Sequence, residues 1–264
     1  MSAATVTGGA LHRHLGSRAA AGRSLLVPYV MAGLPGWAEL VGEFAAAGAD
    51  AVEIGLPFSD PILDGPVICE AAERALAGGT TAATVLAELP GLAAQVPLVV
   101  MTYSNIVLHR GAPAFCAALR AAGVSGLIVP DVPFAEAAEL GGACGAEGID
   151  HVLLAAPSTP PGRLGEVAQR SRGFVYASAV MGTTGVREHL PATAARLAAD
   201  LKALTGTPVL LGLGISSPAS ARAAAAVADG VVVGSALVRD VLEGRGPAEV
   251  GRRLAALRTA LDEA

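Results

Sequence analysis

The sequence predicts a parallel (β/α)8 barrel, and three observations indicate this class. The chain has 264 residues, 53% of them hydrophobic, which suffices for one large core. Short runs rich in β-branched residues recur eight times, and alanine-rich stretches with helical spacing lie between them. Such alternation over about 250 residues is typical of a barrel. No linker, charge block or low-complexity segment divides the chain, so we expect a single barrel domain over residues 1–264.

The eight predicted strands are near-continuous apolar runs, as expected when both faces of a sheet are buried. In chain order they are LLVPYVM from Leu25, ADAVEIG from Ala49, PLVVMTY from Pro97, SGLIVPD from Ser125, DHVLLAA from Asp150, GFVYASA from Gly173, TPVLLGLG from Thr207 and DGVVVGS from Asp229. The alternative is a doubly wound open sheet, which would normally have fewer strands and a G-x-G-x-x-G fingerprint in context.

Predicted helices separate these strands, and several of them end in glycine, the usual C-terminal stop. WAELVGEFAAAG follows the first strand, GAPAFCAALRAAG the third, FAEAAELGGACGAEG the fourth and ATAARLAADLKALTG the sixth. The first 20 residues have no strand of their own. We expect them to form a helix that closes the bottom of the barrel.

Composition excludes several classes of function. The net charge is -5 and Lys202 is the only lysine, so no basic patch for nucleic acid is expected. Lys202 falls in a helical stretch, which argues against an imine-forming aldolase or covalently held pyridoxal phosphate. No apolar run is long enough to span a membrane. Cys69, Cys116 and Cys144 form no C-x-x-C pair, which indicates a reduced, cytoplasmic chain. The histidines show no ligand pairing, and we expect no metal and no cofactor.

Polar residues mark the carboxyl ends of the predicted strands, where barrels of this class carry their chemistry. In chain order these are Tyr29, Glu53, Asp60, Asp64, Tyr103, Asn105, Asp131 and Tyr176. All three tyrosines are among them, which suggests a flat apolar ligand in the barrel mouth, although tyrosines also fill barrel cores.

Glu53 is flanked by Val52 and Ile54, so its carboxyl should be partly desolvated. Desolvation raises a carboxyl pKa and suits general acid or base catalysis near neutral pH. The alternative is a structural role as an acceptor for loop amides. Asp60 and Asp64 follow in a proline-rich loop, and capping of a turn is an equal possibility for Asp60.

Glycines follow the last three predicted strands and suggest an anion site. Gly182 and Gly185 follow strand six, Gly212 and Gly214 strand seven, and Gly234 with Ser235 strand eight. Backbone amides can approach an anion closely at glycine, and a helix that begins at Ser235 would add free N–H groups. The alternative is that each glycine only makes a tight turn.

Several motifs resemble the α subunit family of tryptophan synthase. They are VEIGLPFSDPILDGP from Val52, MTYSN from Met101, PDVP from Pro130, RGFVYASAVMGTTG from Arg172, GLGIS from Gly212 and DGVVVGSALV from Asp229. The motifs occur in order from about Tyr29 to Val238. The resemblance implies a (β/α)8 barrel that cleaves indole-3-glycerol phosphate to indole and glyceraldehyde 3-phosphate without metal or imine.

The resemblance also implies residue roles. Glu53 matches the catalytic glutamate, Asp64 the loop aspartate at the indole N–H, and Tyr176 a tyrosine beside the glutamate. Tyr29 and Tyr103 match the indole pocket, and phosphate contacts match Gly185, Gly214, Gly234 and Ser235. Asp60, Asn105 and Asp131 match the face that docks a pyridoxal-phosphate-dependent β subunit in an α2β2 heterotetramer. Tyr29 stands where many members have phenylalanine.

Three other functions remain open from the sequence. One is a stand-alone lyase of the same family that releases free indole, for example in secondary metabolism. Another is a degenerate barrel that acts only as an allosteric partner, which intact Glu53 and Asp64 argue against. The last is a different phosphate-binding barrel, such as an isomerase or epimerase, which would leave the P-F-S-D-P loop unexplained.

Overall fold

The computed structural model describes residues 8–178, 191–212 and 214–264. Its eight strands pair in parallel and in chain order, and the eighth pairs with the first, so the predicted (β/α)8 barrel is confirmed. The strands are β1 (Leu25–Met31), β2 (Val52–Gly55), β3 (Leu98–Met101), β4 (Gly126–Ile128), β5 (Asp150–Ala155), β6 (Val175–Ser178), β7 (Val209–Gly212) and β8 (Gly230–Val233).

Helices surround the barrel in the described part of the chain. They are α1 (Ala10–Ala20), α2 (Trp37–Ala46), α3 (Pro66–Ala77), α4 (Ala82–Ala93), α5 (Ser104–Arg110), α6 (Ala112–Ala121), α7 (Ala137–Ala146), α8 (Pro161–Arg170), α9 (Ala192–Lys202), α10 (Pro218–Ala225), α11 (Ser235–Leu242) and α12 (Pro247–Asp262). Two helices, α3 and α4, lie between β2 and β3, where none was predicted. Pro66 opens α3 there, and a capping box of Thr81 and Thr84 opens α4. No helix among the described residues is both long and apolar enough to cross a membrane.

Strand alternation divides the core into two layers, because successive side chains point to opposite faces. Val99 and Val152 belong to the cluster inside the barrel, whereas Val100 and Leu153 belong to the cluster between the sheet and the helices. The inner cluster also includes Leu11 and Leu15 of α1, both fully buried. A helix from the first 20 residues therefore packs on the amino end of the barrel, as predicted.

A buried ion cluster holds this end together. Asp50 precedes β2 and is fully buried. Its carboxylate lies 2.9 Å from Arg18, 2.8 Å from Arg23 and 3.4 Å from Arg258, and it accepts the Leu26 N–H at 2.9 Å. The one carboxylate thus ties α1 and α12 to the first two strands, on the side opposite the strand ends that carry the predicted site.

Candidate active site

The parallel register brings five of the predicted polar residues to one mouth, namely Tyr29, Glu53, Asp64, Tyr103 and Tyr176. Tyr29 and Glu53 are direct partners on β1 and β2. The charges of Glu53 and Asp64 raise the pKa of both Tyr29 and Tyr176, after the larger effect of burial, so all four side chains lie within electrostatic reach of one another. Tyr103 contacts Asp64 directly. The structure therefore brings together Glu53, Asp64 and all three tyrosines.

Glu53 is the buried acid of this mouth. It faces the same way as Ala51, two residues earlier, which belongs to the inner cluster, and it is 1% exposed. Its Oε2 has no hydrogen-bond partner among the described residues. Burial, with a smaller contribution from the charge of Asp64, raises the Glu53 pKa to about 8. The carboxyl is therefore mostly protonated at neutral pH, as desolvation by Val52 and Ile54 suggested.

Asp64 is the second carboxyl, and the loop after β2 carries it. Tyr103 Oη donates a hydrogen bond to Asp64 Oδ2 at 3.0 Å and accepts one from the Leu63 N–H at 3.2 Å. The Tyr103 ring stacks on Phe58, with the ring centroids 5.1 Å apart. Burial raises the Asp64 pKa to about 6, and the Tyr103 hydrogen bond opposes that rise. Tyr103 thus holds Asp64 in position and favours its ionised form against the effect of burial.

Two glycines make room for two of the tyrosines. Tyr29 pairs with Glu53, and Gly55 lies two residues further along β2. Tyr176 pairs with Leu210, and Gly212 lies two residues further along β7. A Cβ on either glycine would overlap the tyrosine hydroxyl. Gly55 was not among the predicted site residues, and Gly212 was predicted to be one of the anion-binding glycines. Strand register would have revealed both, but register is not visible in the sequence.

The predicted anion site lies beside this mouth. Gly234 is the N-cap of α11, which begins at Ser235, and its backbone packs near Tyr29. The N–H groups of Ser235 and Ala236 have no acceptor among the described residues, as expected for a first helical turn. Gly214 adopts φ 89°, a conformation that favours glycine. Gly185 lies outside the described residues.

The residues predicted to face a partner lie outside the mouth. Asp60 and Asn105 are exposed. Asp131 instead binds within the chain, because its carboxylate accepts the Ser104 N–H at 2.9 Å and the Ser104 hydroxyl at 2.6 Å. Asp131 therefore caps α5, the helix that carries Asn105.

Other chemistry has little support among the described residues. No group of three His, Cys, Asp or Glu side chains there is placed to hold a metal ion. Lys202 ends α9 on the outside of the barrel, where its Nζ lies 2.7 Å from Asp229 Oδ1. The predicted position of the only lysine is confirmed.

The fold and the mouth define a class: a (β/α)8 barrel with two carboxyls of different pKa near the N-terminus of a helix. Residues 16–264 match the family described as tryptophan synthase alpha chain. A tryptophan synthase alpha chain of a Synechococcus species is 45% identical over 91% of this chain and 93% of its own length. That of Thermobifida fusca is 46% identical over 88% and 89%.

Solved structures give the same result. Mycobacterium tuberculosis tryptophan synthase superposes with a TM-score of 0.89 and 37% identity, over 97% of this chain and 99% of that one. The alpha subunit from Legionella pneumophila superposes with a TM-score of 0.88 and 29% identity, over 98% and 100%. The chain belongs to the tryptophan synthase alpha chain family. It is a lyase of tryptophan biosynthesis, and these relatives do not favour the stand-alone alternative.

The buried Glu53 carboxyl predicts a stability that depends on pH. The folded-state pKa of about 8 exceeds the reference value of 4.5, so ionisation destabilises the fold as pH rises from 4.5 to 8. Glu53→Gln removes this ionisation. At 1.36 kcal/mol per pKa unit, the advantage of the variant in free energy of unfolding should grow by about 3 kcal/mol between about pH 5.5 and pH 9. Urea denaturation at both pH values measures it. An advantage that does not change with pH would contradict the burial of an ionisable carboxyl.

Proposed function

We propose that the chain cleaves indole-3-glycerol phosphate to indole and glyceraldehyde 3-phosphate in the barrel mouth, with Glu53, Asp64 and Tyr176 as catalytic residues. The observation that carries this proposal is the pair of carboxyls at the mouth: Glu53 is buried with an unpartnered Oε2, and Asp64 on the loop is held by Tyr103. Their environments raise the Glu53 pKa to about 8 and the Asp64 pKa to about 6. Between these values one carboxyl is protonated while its neighbour is ionised. A retro-aldol cleavage that releases a neutral indole ring requires both forms together.

Glu53 serves as the proton shuttle. Indole can leave only if its C3 gains a proton as the C–C bond breaks, while the side-chain hydroxyl that becomes the aldehyde loses one. A protonated carboxyl in a buried site supplies the first proton and, once ionised, accepts the second. The Glu53 Oε2 atom is free to make these contacts, because no described residue binds it.

Asp64 stabilises the positive charge that protonation at C3 places on the indole ring. Its ionised carboxylate accepts a hydrogen bond from the indole N–H, and the local charge then favours the protonated ring. Tyr103 holds this carboxylate through the 3.0 Å hydrogen bond. Tyr103 and Tyr29 form walls of the indole pocket, and Tyr176 packs beside Glu53.

The substrate phosphate binds at the start of α11. The N–H groups that follow Gly234 and the hydroxyl of Ser235 are its donors, and Gly214 lies on the neighbouring loop after β7. The contact from Gly185 stays a prediction. β8 is next to β1, and β1 is next to β2. A substrate that extends from α11 across Tyr29 on β1 would therefore reach Glu53 on β2.

Removal of the acid tests the mechanism. Glu53→Gln should lower kcat for cleavage by on the order of 10²–10⁴-fold, with a modest change in KM, because the lost group acts in the transition state. Indole release is measured by absorbance. The control is Glu88→Gln, at an exposed glutamate on α4, which should retain normal kcat. Near-normal kcat in Glu53→Gln would overturn the assignment.

The two pKa values predict a bell-shaped dependence of kcat/KM on pH. Activity should fall below about pH 6 as Asp64 becomes protonated, and above about pH 8 as Glu53 ionises. Tyr103→Phe removes the hydrogen bond that lowers the Asp64 pKa, so the acidic limb should move to higher pH while the basic limb stays. If only the basic limb moved, Asp64 would be the protonated acid and Glu53 the ionised carboxylate, which would contradict the proposal.

We also propose that a pyridoxal-phosphate-dependent β subunit docks beside the loop after β2 and receives the indole. Ile62 is 76% exposed, Leu63 47% and Leu108 66%, an unusual exposure for large apolar side chains. The Leu63 N–H donates to Tyr103 Oη, and Tyr103 directly precedes α5, which carries Leu108 and Asn105. The loop and α5 are therefore adjacent. With Asp60 and Asn105 they form a mixed apolar and polar face, and Asp131 holds α5 in place.

An aspartate in this face should weaken docking. Leu108→Asp buries a charge against the partner and should raise the Kd for a tryptophan synthase β subunit at least about tenfold, a change of about 1.4 kcal/mol. Leu204→Asp is the matched control, since Leu204 is also exposed but lies beyond α9. Calorimetric titration measures both. If both variants raised the Kd by the same factor, this face would not be the docking site.

A further inference from the structure

The outer wall of the barrel contains a second cavity, separate from the mouth. It has a volume of about 360 Å³ and lies between α7 and α8, behind the start of β5. Gly141, Gly142 and Gly145 line it from α7, and Arg170, at the end of α8, lines it from the opposite side. This volume is in the range of small-molecule sites.

His151 on β5 points into this cavity. Val152, the next residue, belongs to the inner cluster, so His151 on the opposite face of β5 points towards the helices. It is 6% exposed, and its Nδ1 lies 3.4 Å from the position that a Cβ on Gly141 would take. Its ring makes no hydrogen bond or ion pair with any described residue. Its ring nitrogens are therefore accessible from the cavity, where a ligand from outside the chain can form a hydrogen bond with them.

Two guanidinium groups give the cavity a positive charge. Arg170 stacks over the Phe134 ring at 4.3 Å, and Arg172 donates to backbone carbonyls. Neither has a carboxylate partner within the part of the chain that the structure describes. The carboxylate of Asp150, which also lines the cavity, instead accepts the Gly9 N–H at 2.7 Å and the His12 N–H at 2.8 Å. The arginines thus remain available to an anion.

The glycines of α7 leave one wall of the cavity without side chains. Glycine weakens a helix interior relative to alanine, so three in ten residues need a reason. Packing supplies none at Gly142 and Gly145, where an added Cβ would meet nothing within 4 Å. A flat ligand that lies against the bare helix backbone would supply one.

We infer that this cavity binds a small organic anion with a flat apolar body. Its anionic group pairs with Arg170 and Arg172, His151 supplies a hydrogen bond, and the body lies along the glycines of α7. The wall of β5 separates this ligand from the barrel interior, so its binding is independent of the proposed cleavage reaction.

Benzoate is the probe, and NMR of the full chain with labelled histidine is the measurement. We expect a saturable shift of the His151 ring signals with a Kd below about 10 mM. Benzyl alcohol, which lacks the charge, and inorganic phosphate, which lacks the ring, should each bind at least tenfold more weakly. If phosphate bound as tightly as benzoate, the site would not select an apolar body. If benzyl alcohol bound as tightly, the site would not select an anionic group. Either result would overturn the proposal.

Gly142→Leu should block the site without harm to the fold, because its side chain enters the cavity and leucine favours helix over glycine. Its melting temperature should equal or exceed that of the parent chain, and its benzoate affinity should fall at least tenfold. Gly91→Leu is the matched control, because Gly91 lies in α4 with nothing within 4 Å of an added Cβ. Unchanged benzoate affinity in Gly142→Leu, or no saturable shift in the parent chain, would overturn the proposal.

Discussion

Closure of the eight parallel strands is the constraint on which the rest of the structure depends. Once the eighth strand pairs with the first, every second side chain points into an enclosed interior. A side chain there must be apolar, or a polar one must have a role that offsets the cost of its burial. Glu53 is the exception on β2, since its inward position deprives the carboxyl of solvent. The elevated pKa on which the proposed chemistry relies is therefore a direct result of barrel closure.

Stability and chemistry are concentrated at opposite ends of this barrel. The amino ends of the strands are sealed by Leu11 and Leu15 and fixed by the ion cluster around Asp50. The carboxyl ends carry Glu53, whose Oε2 has no hydrogen-bond partner in the described part of the chain, and a second carboxyl on a loop. A buried ionisable group destabilises the fold at neutral pH, and a well-packed opposite end can tolerate that cost.

Close packing around the tyrosines gives the mouth its shape. The Tyr29 ring packs over Gly55, and the Tyr176 ring packs over Gly212. In both cases the glycine is on the next strand, two residues after the residue that pairs with the tyrosine. The arrangement is the same at two places in the barrel because the same parallel register applies at both. Glycine here serves tyrosine packing, which differs from its role near the start of α11.

The sequence by itself determined the strand–helix alternation, the burial of Glu53 between two β-branched residues, and the family, because these depend on local pattern and on specific motifs. Only the tertiary structure decided that Tyr103 binds Asp64, that Asp131 caps α5, and that Gly212 accommodates Tyr176. These contacts join residues that are distant in the chain, so they depend on strand register and loop path. The cavity around His151 likewise exists only after α7, α8 and β5 have packed together, because no local pattern specifies the space between three elements.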